Sequence, residues 1–383
     1  MTSIRENIRR LFEPARPLPP GTYHYQAPLE DPRDYRLHLR IEPNGNGLLI
    51  VNASTVLHLN QTATEYAYYL VQNLPEEQVV KTITFRYRIG KDQARQDYRT
   101  FIEQIDTLIN TPDLDPVTYL GFDRTEPFPA DITAPYRLDC ALTYHLREEA
   151  FSGAAPQERV ERELNTAEWK AILDKTWEAG IPHIVFTGGE PTLREDLFDL
   201  IEYAEAHGQV TGLMTDGIRL AEAAYLQSLL RTGLDHLTII LQPQLKEEWQ
   251  ALEMVLEADI FVAIHLTITP QNSSEIHSLL KRLAEMGVKA VSLSASSPAL
   301  SQILEAAREY EASLNLELIW NLPVPYSVLN PVSLETEGQE QIEGAGRAWM
   351  YVEPDGDMLP GQGIQRKLGN LLRDPWEVIW NQG

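Results

Sequence analysis

An apolar run, His183-Ile184-Val185-Phe186-Thr187, is followed by Gly188-Gly189-Glu190-Pro191. Glycine leaves the backbone open to close approach, so the freed backbone groups and the Glu190 carboxylate together suit an ammonium ion. Further polar ends lie downstream in Thr215-Asp216-Gly217 and Ile240-Leu241-Gln242-Pro243. Asp216 suits a ligand hydroxyl, and it equally suits the cap of a helix beginning near Leu220. If these segments end strands of one sheet, the shared rim also carries Tyr144, Thr269, Ser296 and Asn321. That rim is polar, but it has no nucleophile–base pair and no metal-ligand spacing, so no catalytic residue and no metal site is assigned. His265 shares a strand face with Phe261, Ala263 and Thr267. A core histidine satisfied by its neighbours and a general base or ligand beside Glu190 both remain open for it.

The elements that must position these residues are legible in the pattern. Strands expected at 137–143, 183–187, 210–215, 236–241, 261–269 and 290–295 alternate with helices at 166–179, 196–207, 220–232, 247–258 and 274–286. Such alternation predicts an α/β fold with a parallel sheet and ligands at the carboxyl ends of its strands. Before it, residues 1–34 read as an irregular, proline-rich arm, in which Ile4, Ile8, Leu11 and Phe12 could form a short amphipathic turn. Residues 35–110 read as a small α+β domain: strands 35–41, 48–51 and 55–59, a hairpin turn at Pro43-Asn44-Gly45-Asn46-Gly47, then helices at 62–72, 76–87 and 92–110. Residues 111–133 form a linker rich in proline and aspartate, 134–320 the alternating domain, and 321–383 a terminal extension with an Asp-Gly hairpin turn.

Composition narrows the function class. The chain has 383 residues and a formal charge of −24, from 56 acidic and 32 basic side chains. That field repels phosphate backbones, so nucleic acid is not an expected partner. No apolar run reaches the ~18 residues a membrane span needs, and no secretory signal is evident, so a cytoplasmic location is expected. The one cysteine, Cys140, sits in an apolar strand pattern and reads as a buried structural thiol.

Thr143-Tyr144-His145-Leu146-Arg147-Glu148-Glu149-Ala150-Phe151-Ser152-Gly153, in frame with Gly188-Gly189-Glu190-Pro191, resembles the radical S-adenosylmethionine (SAM) superfamily. There a Thr-Tyr dipeptide precedes CxxxCxxC and a later strand ends in GGEP. The resemblance implies a partial (β/α)6 barrel in which Gly188, Gly189, Glu190 and Pro191 bind the SAM amino group, with Thr215, Asp216 and Gln242 extending that site. The family's cysteine positions hold Leu146, Ala150 and Gly153, none of which can ligate iron, so no iron–sulfur cluster is expected. Residues 346–361, Leu368-Gly369-Asn370-Leu371 and Pro375–Asn381 resemble a SPASM or twitch extension, with Gly361 in place of an auxiliary-cluster cysteine. Residues 35–110 resemble a PqqD-like, winged-helix peptide-recognition domain. Its family adds a leader peptide as an extra strand, here beside Leu57 and Leu59, with Arg95 and Arg99 facing an acidic leader. A small domain that serves only as a packing unit is the alternative.

Three functions follow from this resemblance. One is a cluster-less protein of ribosomal peptide (RiPP) maturation that binds a precursor peptide, and SAM, as partner or scaffold for an active radical SAM enzyme or as a homo-oligomer. Another is an enzyme using SAM in polar chemistry such as methyl transfer. The third, a radical enzyme whose cluster another chain supplies, would need all the missing ligands replaced.

Overall fold

The computed structural model describes residues 17–383 apart from 29, 34, 53–54, 112–113, 122–131, 148–152, 315, 320–321 and 336–343. The turn expected at Ile4, Ile8, Leu11 and Phe12, the position Ala150 and the rim residue Asn321 lie outside the described residues. The chain divides into two units, Met1–Thr133 and Ala134–Gly383.

In the first unit β1 (Gly21–Gln26), β2 (Arg36–Ile41), β3 (Gly47–Val51) and β4 (Thr55–Leu59) form an antiparallel sheet in that spatial order. β1 departs from the expectation of an irregular arm. Its residues pair with β2 from Gly21↔Ile41 to Gln26↔Arg36. Pro17, Pro19, Pro20 and Pro28 flank this strand without interrupting it, and proline removes a ladder donor only where it stands. Helices Gln61–Val71, Glu76–Tyr87 and Lys91–Asn110 follow, the first capped by Asn60, whose side chain accepts from the Ala63 amide. The longest buries Ala94, Tyr98, Phe101, Ile105 and Leu108 along one stripe, in a common core with Leu37, Leu39, Leu49, Leu57 and Leu59. The expected linker contains a short helix, Pro116–Leu120, capped by Asp115.

One carboxylate ties the first two of these helices together. Glu65, 1% exposed, accepts from Arg86 Nε and Nη2 at 2.7 Å each and from the Tyr87 hydroxyl at 2.6 Å. Glu65→Leu strips these donors of their shared acceptor and is expected to destabilise the first unit by about 3 kcal/mol. Urea unfolding followed by tyrosine fluorescence checks this, and a loss under about 1 kcal/mol would mean that water replaces the carboxylate at little cost.

The second unit is built on one ten-stranded sheet of order β11-β10-β9-β8-β7-β6-β5-β12-β13-β14. Its strands are β5 (Arg137–Thr143), β6 (His183–Gly188), β7 (Val210–Thr215), β8 (His236–Leu241), β9 (Phe261–Ile268), β10 (Ala290–Ala295), β11 (Glu317–Leu318), β12 (Trp349–Val352), β13 (Asp357–Leu359) and β14 (Gly369–Asn370). Pairing is parallel from β11 through β5 to β12, then antiparallel. The terminal extension therefore continues the main sheet, with β12 lying alongside β5 from Trp349↔Arg137 to Val352↔Cys140. Helices Thr166–Glu178, Leu197–His207, Ala223–Leu230, Lys246–Leu256, Ile276–Met286 and Ser301–Ser313 fall between the strands.

Strand periodicity sorts the two faces. Leu138, Cys140, Leu142, Ile184 and Phe186 share one core with helix residues Trp169, Ile172 and Leu200. Cys140 is fully buried there, and burial pushes its thiol well above its ordinary value, so it is no thiolate. Ala141 belongs instead to a separate cluster with Tyr144, Tyr326, Tyr351 and Leu359. His265 bonds through Nδ1 with Ser292 Oγ at 3.1 Å and through Nε2 with Ser294 Oγ at 3.0 Å. Both ring nitrogens are thus engaged, and burial lowers its pKa to about 4. That is the pattern of a histidine satisfied in the core.

His183 and His236 meet across β7, with Nε2 atoms 2.7 Å apart, over Gly212, where a Cβ would lie 2.1 Å from the His236 ring. A neutral pair fits this contact, one nitrogen donating and the other accepting. Burial holds His236 down to about 4 from 6.5, and burial with the neighbouring ring holds His183 well below its ordinary value. Depressed folded values mean that this stability is present above pH 6.5 and is lost as pH falls towards about 4. Thermal melts across that window are expected to show the loss, and His236→Asn should lessen it, with the buried His265 and His38 keeping their own shares.

Candidate functional site

The site begins where β6 closes on the end of β5. The register slips between Ala141 and Thr143, bringing Thr143 opposite Gly188. The Gly189 amide donates to the Thr143 carbonyl at 2.7 Å, and the Glu190 amide donates to the His145 carbonyl at 2.9 Å. Gly188 has φ +134°, and a Cβ there would sit 2.2 Å from the Thr143 carbonyl oxygen. A Cβ on Gly189 would sit 2.4 Å from the His145 carbonyl oxygen. Both positions therefore require glycine for chain packing, independently of any ligand.

Glu190 is 3% exposed, and its carboxylate serves the protein itself. Oε1 accepts from the Thr192 amide at 2.9 Å, the Thr192 hydroxyl and the Thr215 hydroxyl at 2.8 Å. Oε2 accepts from the Asp216 amide at 2.8 Å. Glu190 thus fastens the turn Pro191–Leu193 to the end of β7. Burial and the Asp216 charge push its carboxyl up to about 7. The Gly188 carbonyl is also taken, by the Tyr326 amide at 2.9 Å. Of the groups read as an ammonium site, Glu190 and Gly188 are thus largely occupied within the protein. Among the described residues the Gly189 carbonyl has no donor.

A cavity of about 300 Å³ opens above these contacts. Gly189, Glu190, Asp216 and Gln242 line it, as do Leu146 and Arg147. Gly188, Pro191 and Thr215 are not among its lining residues. Arg147 donates from Nε to Asp216 Oδ2 at 3.0 Å and from Nη2 to Thr192 Oγ1 at 3.0 Å. Asp216 Oδ1 also accepts from the Ile218 amide at 2.9 Å, so Asp216 both caps its turn and pairs with a cation. At the end of β8 the Gln242 amide donates to Glu248, a fully buried carboxyl that burial raises to about 9. Arg147 and Glu248 escaped the sequence reading. Arg147 carries the one local signal, its place directly after Leu146. Glu248 looks like any acidic residue in the first turn of a helix, and only the packing of Lys246–Leu256 on the sheet buries it.

The other sequence assignments are scattered. Gly361 lines a separate cavity of about 190 Å³ with Trp349 and Tyr326, and Gly153 has φ +100° with open space where a Cβ would be. In the first unit Leu57 and Leu59 are buried, 2% and 4% exposed, so their side chains serve the core and cannot grip a peptide. Arg95 and Arg99 are already paired: Arg95 with Glu76 at 3.1 Å and Glu77 at 2.9 Å, Arg99 with Glu76 at 2.9 Å. An acidic leader would have to displace those carboxylates. Among the described residues no helix is long and apolar enough to cross a membrane.

Comparison with known proteins fits this geometry. Residues 140–243 match the family described as the Radical SAM superfamily. The PqqA peptide cyclase of Granulibacter bethesdensis is 29% identical over 144 residues, 34% of this chain and 38% of that protein. The PqqA peptide cyclase of Gluconobacter oxydans is 26% identical over 230 residues, 53% of this chain and 63% of that protein. That of Bradyrhizobium diazoefficiens is 24% identical over 253 residues, 58% of this chain and 66% of that protein. The chain thus spans 38% to 66% of the length of these curated relatives. Streptococcus suis SuiB bound to its precursor peptide SuiA superposes with a TM-score of 0.57 at 16% identity, covering 93% of this chain and 88% of that one. SuiB bound to S-adenosylmethionine superposes with a TM-score of 0.55 over the same shares. At that identity the likeness is one of fold. The match covers the segment that supplies much of the cavity: residues 140–243 are similar to the Radical SAM superfamily.

Proposed function

We propose that this chain acts in ribosomal peptide maturation as a radical-SAM-like protein without an iron–sulfur cluster. It binds a precursor peptide in a PqqD-like first unit and SAM in the cavity at the ends of β5 to β8, as partner or scaffold for a modifying enzyme. The C-terminal strands β12 to β14 are read as a SPASM-like extension without cluster ligands. The observation that carries this reading is the cavity itself: the Gly188–Pro191 frame is intact, while Leu146 stands on its wall where a thiolate would be needed. The donor set does not fit a cluster. Leu146 and Gly153 offer no ligand atom, and Cys140 is buried on the helix side of β5.

The cavity does fit the amino-acid end and sulfonium of SAM, with acceptors at Gly189, Asp216 and Gln242 and apolar walls at Ile218, Ile240 and Leu245. For the peptide, β1 covers the outer edge of β2, which leaves β4 as the other end of the sheet for strand addition. PqqA peptide cyclases among the relatives, and SuiB solved with its precursor peptide, support a peptide substrate class.

Calorimetric titration with SAM tests the cofactor half, and chromatography for S-adenosylhomocysteine separates the scaffold from an enzyme of polar methyl transfer. Binding without turnover supports the scaffold, turnover supports the transferase, and no heat removes SAM from the proposal. Slowed amide exchange in β4 on adding a short peptide encoded beside the gene tests the other half. Unchanged exchange there would rule out strand addition at this edge.

A further inference from the structure

We propose that Arg147 takes the α-carboxylate of the ligand held in this cavity. This deepens the SAM reading above and rests on it. Arg147 is the one basic side chain among the described residues that line the cavity. Asp216 and Thr192 hold its Nε and Nη2, each at 3.0 Å, and Thr192 is itself fixed by Glu190. Among the described residues Nη1 has no partner. A guanidinium anchored along one edge, with a remaining N–H edge, is preorganised for a carboxylate.

Acceptors for the ammonium stand in the same cavity: the Gly189 carbonyl, the Asp216 carboxylate and the Gln242 side chain, whose Oε1 now accepts only a 3.3 Å bond from Gln244 Nε2. One fixed cation beside several acceptors is the donor and acceptor set of an α-amino acid, whereas a plain anion would meet repulsion from Asp216 and Glu190. Leu146, Ile218, Ile240 and Leu245 supply apolar wall for the rest of the ligand. The carboxylates exceed the single guanidinium, so a ligand bearing an additional positive charge, such as a sulfonium, balances the site better than a neutral amino acid.

The test is calorimetric titration of the full chain with SAM and with decarboxylated SAM, which keeps the sulfonium, the amine and the adenosine. The wild type is expected to bind the decarboxylated compound at least about tenfold more weakly. Arg147→Met should weaken SAM by a similar factor, leave the decarboxylated compound within about twofold, and so abolish the discrimination. Arg147→Lys should restore part of it. Equal affinities in the wild type, a comparison that needs no variant to fold, overturn the assignment of Arg147 while SAM binding stands. Discrimination that persists in a folded Arg147→Met variant also overturns it. Absence of binding to both compounds overturns this inference and the SAM reading together.

Discussion

Gly188→Ala is expected to destabilise the second unit by about 4 kcal/mol, with the cavity lost alongside, because two costs coincide there. The residue has φ +134°, which an L side chain rarely adopts, and the new Cβ would lie 2.2 Å from a backbone oxygen that cannot rotate away. Relief requires parting the ends of β5 and β6, which breaks the Gly189-to-Thr143 and Glu190-to-His145 hydrogen bonds. Glu190 would then no longer meet Thr215 and Asp216. Gly361→Ala is the control: its Cβ would meet Ile364 at 3.5 Å, an ordinary contact, and its backbone is not in the left-handed region. That change should be neutral within about 0.5 kcal/mol. Chemical unfolding of both variants decides the matter, and equal stabilities would mean that the strand ends do not close as described.

Glu248→Gln should act in the opposite direction, stabilising the chain by about 3 kcal/mol at pH 7. The Glu248 side chain is buried, one carboxyl oxygen has no partner, and the charges of Asp216 and Glu190 add to the cost of ionising it. Its folded pKa of about 9 lies above the 4.5 of the unfolded chain. A raised folded value means that stability from the protonated form is fully present below pH 4.5 and is lost as pH rises through about 9. Glutamine is neutral at every pH and keeps an acceptor for the Gln242 amide. Wild type and variant should therefore be similar near pH 4 and diverge steadily above it. Parallel melting curves from pH 4 to 9 would show that Glu248 is ionised and paired with something other than its present neighbours.

Most of the strand and helix positions were legible in the sequence. The alternation from Arg137 to Ala295 is strong because each strand is apolar on the face that meets helices, and each helix repeats its stripe near every fourth residue. Gly21–Gln26 was hidden because its flanking prolines dominate the local composition, while its partner β2 lies across an intervening turn. The linker helix Pro116–Leu120 is too short for periodicity to register.

The site divides along the same line. Sequence by itself determined the frame: glycines at 188 and 189, a carboxylate at 190, polar ends at 215–216 and 242, and side chains at 146 and 153 that offer iron no ligand atom. These are properties of residue type and spacing, which one chain displays directly. Only the tertiary structure decided how those groups are used. It spent Glu190 on Thr192, Thr215 and Asp216, enclosed Leu57 and Leu59 in a core, paired Arg95 and Arg99 with Glu76, and set Arg147 against Asp216 across 69 positions of chain. A hydrogen-bonding group has many prospective partners in a linear sequence. Burial selects among them, because a polar group withdrawn from water must be satisfied by whatever the packing brings within reach.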